Sequence, residues 1–394
     1  MVNKNNAVPG DFVEVHMLHK IYEGALLETP EDETGIVLLK LSSGYNIGFI
    51  KKDVTEIKLL KKAENKESKV EIKSDSKKPN IGMIITGGTI AARLNPKKGG
   101  VDWLTSPDAL FKFYPELFKK VNVTKIEVPF MKASEDMDFK DWQKIAKTAE
   151  ELLNDENIQG IIITHGTDFL HYTSAALTSI SDIAEVVLVG HATGNDDFCN
   201  VMPGTKVRKF HTSRRDAFKV VNEKPFAKVF KDKIEILRDF NSRAKKHTKI
   251  KADTKFEEKV ALLKFYPGQD PAILDYYLKE GYKGIVLEMG ALGHVSTMRS
   301  RNGWTRKLKE VQEKGLIVCA TSQCIYGRVD PLVYSNGREI LETGVIYLED
   351  MLSETAFVKL GWVLGHEDWK KDKLKIKEMM LKDIAGEFNK RLED

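Results

Sequence analysis

Cysteine is scarce in this chain. The three present (Cys199, Cys319, Cys324) lie far apart among 394 residues. That spacing excludes a disulfide framework and points to a reducing compartment, the cytoplasm. No apolar run approaches the ~18 residues that a membrane-spanning helix needs. The opening Met1–Asn6 has none of the apolar core of a signal peptide, so no membrane partner is expected. Histidine and cysteine nowhere stand at metal-ligand spacing, and His165 and His171, six apart, fit no helix face; no metal is expected. Charge of one sign is missing too. The 62 basic residues against 58 acidic leave a net charge of +4, too small by itself to argue for nucleic-acid binding. No internal repeat stands out. The 42% hydrophobic and 30% charged content is that of an ordinary soluble chain, long enough for two or three domains.

What is present is organised in blocks. Residues 11–60 alternate as short strands: Asp11–His16, Gly35–Leu41 and, after the turn Ser42-Ser43-Gly44, Tyr45–Ile50. Tight turns without helix predict a small barrel of the SH3 or Sm kind over 1–60. Residues 61–80 alternate lysines with acids and serines and end at Pro79, a charged, solvated linker. From 81 to about 255 strands alternate with helices. Asp138 can cap a helix that carries Phe139, Trp142, Ile145, Ala146, Ala149, Leu152 and Leu153 on one face, and a strand Gln159–Thr164 follows. A second α/β run occupies 256–365: strands Val260–Phe265, Gly284–Glu288 and Leu316–Thr321, with helices near Pro271–Glu280 and Trp304–Lys314. Charged helices are expected over 366–394.

Two threonine motifs end buried-looking strands, Ile84-Ile85-Thr86-Gly87-Gly88-Thr89 and Ile162-Ile163-Thr164-His165-Gly166-Thr167-Asp168. Continuous Ile/Val runs read as parallel strands covered on both faces, and open parallel sheets bind ligands beyond their strands' carboxyl ends. Each motif has a plainer reading: a tight glycine turn for the first, and Asp168 as a helix cap, with His165 merely packed, for the second. A threonine hydroxyl is a weak nucleophile and needs a base within reach. Lys209, in Val207-Arg208-Lys209-Phe210, offers one, although spacing alone equally fits a basic surface loop. Cys324, with no histidine in evident relation, reads as a small buried loop residue rather than a nucleophile.

Thr86-Gly87-Gly88-Thr89-Ile90-Ala91, Ser134-Glu135-Asp136-Met137 and His165-Gly166-Thr167-Asp168 together resemble the L-asparaginase/glutaminase family. Lys209–Phe218, Thr321–Val329, Glu349–Leu352 and Glu354–Leu360 narrow the resemblance to the GatD family of archaeal glutamyl-tRNA(Gln) amidotransferases, as does the small N-terminal barrel. The resemblance covers nearly the whole chain. It implies an α/β fold, two asparaginase-like doubly wound parallel sheets preceded by a small N-terminal β-barrel. By position it implies Thr89 and Thr167 as catalytic hydroxyls, Asp168 holding substrate, Lys209 as base, and Ser134 and Glu135 contacting the amino-acid end of the substrate. It further implies a glutaminase that passes ammonia to the E-type partner of such amidotransferases, with ATP and Mg used by that partner and no cofactor in this chain. The tRNA(Gln) would be held mainly through the partner, and the chain would form a homodimer within a heterotetramer. A free-standing asparaginase/glutaminase and a catalytically weak scaffold remain as alternatives.

Two departures from that pattern stand out. Phe169 occupies a position where a second threonine is usual. The stretch between Asp168 and Lys209 is short by one strand–helix unit near 178–185, roughly 30–40 residues by the usual size of such units. Either Val186–Val189 takes the place of the lost strand or the sheet has one strand fewer.

Overall fold

The computed structural model describes residues 3–4, 7–27, 35–42, 46–63, 75–88, 92–95, 100–103, 115–179, 185–240, 249–297 and 299–390. They divide into two compact units, Met1–Ala133 with Ile162–Gly166, and Ser134–Ile161 with Thr167–Asp394. The strands of the first unit are β1 (Asn3–Lys4), β2 (Phe12–Met17), β3 (Ile21–Leu27), β4 (Ile36–Leu41), β5 (Asn46–Ile50), β6 (Val54–Lys61), β7 (Asn80–Ile85), β8 (Ala92–Asn95) and β9 (Gly100–Trp103). Helix α1 (Pro115–Lys120), strand β10 (Asn122–Glu127) and most of β11 (Gly160–Thr164) complete it.

β1 to β6 form one six-stranded sheet in the order β1-β6-β2-β3-β4-β5. All its pairs are antiparallel except β1 with β6. Alternation does the work: Val13 and Val15 of β2 point inward while Phe12 and Glu14 point away. The inward residues Val13, Val15, Leu26, Val37, Leu39, Phe49 and Val54 make a single core. Buried Asp11 closes one end, its carboxylate accepting from the backbone N–H groups of Val8 (2.9 Å) and Ala63 (2.8 Å). The near end of the expected linker is not free. Asn122 Nδ2 donates to the carbonyls of Asp75 (2.7 Å) and Lys78 (3.2 Å), fastening residues 75–79 to the start of β10.

The second sheet of this unit runs β10-β7-β11, with β10 and β7 parallel. β7 meets the expectation of a strand covered on both faces, with every residue from Ile81 to Ile85 buried. β11 does not, because Ile162 in its middle is exposed. β7 is central in its sheet, whereas β11 stands at the end of the strand order, so only β7 has neighbours on both sides.

The second unit begins with a turn of 3-10 helix, Ser134–Asp136, and α2 (Phe139–Leu153). Asp138 caps α2 as expected: its carboxylate accepts from Lys140 N and Asp141 N, while Asp141 reaches back to Asp138 N. Trp142, Ile145, Ala146, Ala149 and Leu152 face inward at 3–4 spacing. Trp142 Nε1 donates to Thr173 Oγ1 (3.0 Å) on α3 (Leu170–Ser179), which fixes one helix against the other.

Strands β12 (Val187–His191), β13 (Cys199–Pro203), β14 (Val207–Lys209), β15 (Phe218–Val220), β16 (Ala227–Val229) and β17 (Ile234–Ile236) follow. β14 and β15 form a hairpin. The other four form an antiparallel sheet, β12-β13-β16-β17. Val187–Val189 therefore does not stand in for a parallel strand, and among the described residues the parallel sheet has three strands.

The C-terminal part contains β18 (Val260–Lys264), α4 (Ile273–Lys279), β19 (Gly284–Met289), α5 (Thr305–Glu313), β20 (Ile317–Ser322), α6 (Ser335–Leu341), β21 (Ile346–Tyr347), α7 (Ser353–Leu364) and α8 (Lys373–Leu381). Its sheet, β18-β19-β20-β21, is parallel throughout. Ile285, Leu287, Met289, Trp304, Leu308, Val311, Val318 and Ile340 fill its core. The expected tail of helices ends early, at Leu381. Asp383 and Glu387 take the backbone N–H groups of residues 384–387 for their own carboxylates, and Gly386 adopts φ 71°, so a tight loop replaces the helix. That loop carries a fully buried carboxylate, Glu387, paired with the fully buried Lys359 of α7 at 2.9 Å.

Candidate active site

The first threonine motif makes its turn as its glycines predict. Gly87 and Gly88 have φ 124° and 88°, the left-handed half of the map that β-carbons disfavour. A Cβ on Gly87 would collide with Lys132 O, and one on Gly88 with the backbone of His165 and Gly166. The two motifs thus approach each other backbone to backbone. Thr86 is fully buried and acts structurally: its N–H (3.2 Å) and Oγ1 (2.7 Å) both donate to Thr164 O. Thr89 lies outside the described residues. His165 is buried, its Nδ1 is 2.7 Å from Gly166 O, and burial lowers its pKa. It is the packed histidine of the plainer reading.

The second motif leads to the chemistry. Thr167 and Asp168 are exposed at the entrance to α3. Lys209 ends β14 and is largely covered. Across 41 and 42 positions of sequence, Lys209 Nζ donates to Asp168 Oδ1 at 2.5 Å and to Thr167 Oγ1 at 3.1 Å. The short connection between these segments thus brings hydroxyl, amine and carboxylate within hydrogen-bond reach. Ser134 joins them: its buried Oγ accepts from Phe169 N (3.3 Å), at the start of α3, and donates to Glu135 Oε2 (3.3 Å). Glu135 itself is exposed. A cavity of about 400 Å³ opens beside Ser134, Glu135 and Phe169 and is otherwise mainly aromatic, with Phe139, Trp142, Tyr172, Phe256 and Phe357 in its wall.

Behind Lys209 stands a group that sequence reasoning passed over. Successive side chains of a strand point to opposite faces, so Arg208 turns away from Thr167. Its Nε meets Glu354 Oε1 of α7 at 3.0 Å. Burial pushes the Glu354 carboxyl up, and Arg208 opposes that shift. His171 of α3 lies 3.7 Å from the same oxygen. Burial, reinforced by the charges of Arg208 and Lys209, brings the His171 pKa down to about 4, so the ring is neutral at pH 7 and the contact is not an ion pair. A single Glu and a single Lys inside the otherwise uncharged Ser353–Leu364 were the available signal, since a buried charge needs a partner. Arg214 and Arg215 are paired with Asp216 (2.8 Å) and Asp196 (2.6 Å). Cys324 is exposed, not buried as expected; it sits in a turn where its N–H donates to Ser322 Oγ. Among the described residues no group of three His, Cys, Asp or Glu side chains could hold a metal ion. None of the helices there is long and apolar enough to cross a membrane.

Three family models match this chain. The GatD N-terminal domain matches residues 7–60 and the Glutaminase/Asparaginase C-terminal domain matches 259–380. The N-terminal asparaginase domain matches in two overlapping stretches, 80–197 and 179–241. A GatD-type glutamyl-tRNA(Gln) amidotransferase subunit of Thermococcus kodakarensis is 40% identical, covering 93% of this chain and 90% of its own length. The chain belongs to the GatD family of glutamyl-tRNA(Gln) amidotransferase subunits. A second member, from Sulfolobus acidocaldarius, is 36% identical over 98% of this chain and 93% of its own. These two alignments run to 409 and 427 positions against a chain of 394, so members of the family carry segments that this chain lacks. Among solved structures, the L-asparaginase of Thermococcus kodakarensis superposes with a TM-score of 0.67 at 24% identity, over 79% of this chain and all of its own. L-asparaginase I of Vibrio cholerae gives 0.68 at 22%, over 79% of this chain and 99% of its own. At that identity these two show the fold alone, that of asparaginase-like α/β domains, which in this chain follow the six-stranded N-terminal sheet.

Proposed function

We propose that this chain is the glutaminase component of a tRNA-dependent amidotransferase. It would hydrolyse glutamine and supply ammonia to an E-type partner, which would use ATP and Mg to activate glutamate carried on tRNA(Gln). The observation that carries this reading is the contact of Lys209 Nζ with both Thr167 Oγ1 and Asp168 Oδ1, in a member of the GatD family. In the reaction, a threonine hydroxyl oxygen attacks the side-chain amide carbon of glutamine and its proton passes to the Lys209 amine. The Asp168 carboxylate is the base within reach to take up a proton from that amine. The tetrahedral oxyanion collapses, the C–N bond breaks, and the proton goes to the departing nitrogen as ammonia. Water then cleaves the acyl-threonine to glutamate. Thr89 and Thr167 are the two candidate hydroxyls, and exposed Glu135 beside Ser134 would bind the substrate ammonium.

The test is ammonia release from glutamine by the chain co-purified with its partner, with tRNA and ATP present. Thr167→Val and Lys209→Met should each lower turnover by at least about a thousandfold, the scale lost when a nucleophile or its base is removed, with circular dichroism unchanged. Turnover that survives both substitutions would refute the assignment. The alignments longer than this chain favour a second reading, a scaffold that supports the partner without hydrolysing glutamine. No ammonia release by the unaltered complex would decide for it. Equal turnover of asparagine and glutamine by the isolated chain would instead indicate a free-standing enzyme.

A further inference from the structure

The hairpin that carries Lys209 is held at its foot by the C-terminal loop. Lys206 continues β14 by one residue, its carbonyl accepting from Val221 N (2.9 Å). Successive side chains of a strand alternate in direction, so Lys206 and Arg208 point one way and Val207 and Lys209 the other. Lys206 is fully buried, and its Nζ donates to Asp350 Oδ2 (2.6 Å) and to Asp350 O (3.2 Å). Arg208 meets Glu354, four positions beyond Asp350. Two ion pairs thus tie one face of β14 to residues 350–354, while the other face presents Lys209 to Thr167 and Asp168.

The C-terminal loop completes the socket of Lys206. The carboxylate of Asp350 also accepts from Asn389 N (2.7 Å) and Asn389 Nδ2 (3.1 Å). The same Nδ2 donates to Asn222 O (2.9 Å), just beyond the end of β15. Thr205 Oγ1 donates to Ala385 O and Gly386 O, both at 3.0 Å. The loop therefore holds both arms of the hairpin. Burial pushes the Lys206 pKa down, and the charges of Asp350, Asp383 and Glu387 oppose that shift; the last two belong to the loop. At the other end of the hairpin, His211–Arg215 are all exposed. Lys209 stands between that exposed tip and the foot, about 10 Å along the strand from Lys206. The foot, with Val207 and Phe218 in the core beneath it, sets where the Lys209 amine lies.

We propose that the C-terminal loop is a positioning element for Lys209, acting through Thr205, Lys206, Asp350 and Asn389. These residues act on the hairpin rather than on substrate. The effect on turnover rests on the amide hydrolysis proposed above, whereas the placement of Lys209 is measurable without it. The test uses the complex with Asn389→Ala, which removes two side-chain donations, and with Thr205→Val, which removes the hydroxyl at nearly constant shape; Thr205→Ser restores it. A catalytic group misplaced by about 1 Å can cost a hundredfold in rate, so Asn389→Ala and Thr205→Val should each lower kcat for glutamine by at least about tenfold. KM should stay within about twofold, since substrate binding is untouched, and Thr205→Ser should recover most of the turnover. The second readout is the rate at which an amine-acylating reagent modifies Lys209, followed by peptide mapping. Lys209 is largely covered and hydrogen-bonded, so loosening its hairpin should speed its acylation by at least about threefold relative to exposed Lys279. If the unaltered complex releases no ammonia, the glutaminase reading fails and the acylation rates alone decide the positioning role. Circular dichroism checks folding; should Thr205→Val not fold, Asn389→Ala, at a half-buried position, carries the test. Folded variants whose Lys209 is acylated at the unaltered rate would overturn the proposal, as would a fall in turnover that appears only as a raised KM.

Discussion

The second unit contains two four-stranded sheets that differ in what covers them. In the parallel sheet β18-β19-β20-β21, all six residues of β19 are buried. Helices cover both faces, with α7 packed on β18, β19 and β20. In the antiparallel sheet β12-β13-β16-β17, one face joins the core and the other shows valine and isoleucine to solvent. Both sheets are built from largely apolar strands, so an apolar run alone does not separate a sheet covered on both faces from one with an exposed face. What separates them is strand direction: β18, β19 and β20 run parallel with helices α4 and α5 in their connections, whereas β12, β13, β16 and β17 pair antiparallel, with no helix between them among the described residues. The hydroxyl–lysine–carboxylate contact does not depend on the exposed face, because β14 is held from behind by Arg208 and Glu354.

The comparison can be broken most severely at α7. Glu387→Gln removes the partner of the fully buried Lys359. Stranding a buried ammonium should cost about 3–5 kcal/mol, read as a large fall in the urea midpoint. A change under about 1 kcal/mol would mean that the C-terminal loop does not hold the helix over its sheet. Leu287→Ala in the covered sheet should cost roughly 2–5 kcal/mol, because Leu287 is wholly buried. Val189→Ala, the matching change on the bare face, should stay within about 0.5 kcal/mol. Similar losses at both positions would contradict the contrast between the sheets.

Acid sharpens the comparison between these two extremes. His171 is buried and neutral, with a folded pKa of about 4 against 6.5 in the open chain. Below pH 6.5 the unfolded chain takes up a proton that the folded one refuses. The stability is therefore fully present above pH 6.5 and falls as pH drops toward 4, by about 3 kcal/mol in all. Glu354, Arg208, Lys209, Tyr172 and Phe218 face this ring. Urea midpoints at about pH 7 and about pH 5 should converge in His171→Gln; an unchanged slope would remove His171 as the cause.

Much of this was readable in the sequence, for reasons that mark where reading fails. Capping by Asp138, the inward stripe of α2 and the strands β7, β18, β19 and β20 follow from local rules, and so do the turns at Gly87 and Gly88. The association of Thr167, Asp168 and Lys209 came from resemblance, since spacing alone fitted a surface loop for Lys209 equally well. Long-range pairing was not legible. Nothing local says that Arg208 meets Glu354 or that Glu387 is buried against Lys359, and Asp383 and Glu387 look like surface charges until their turn is seen. Exposure of Cys324 was missed for the same reason: a small apolar residue after a buried strand carries no sign of where the loop leads. The antiparallel pairing of β12 was hidden too, because an apolar run reads alike in either kind of sheet.

The central claim is that a threonine of this site, served by Lys209, attacks the amide carbon of glutamine. The most direct measurement is intact-mass and peptide mapping of the complex after exposure to a diazoketone analogue of glutamine, which alkylates the attacking residue. The account predicts one adduct on Thr167 or Thr89, lost in Lys209→Met. No adduct, an adduct on exposed Cys324, or labelling indifferent to Lys209 would contradict it.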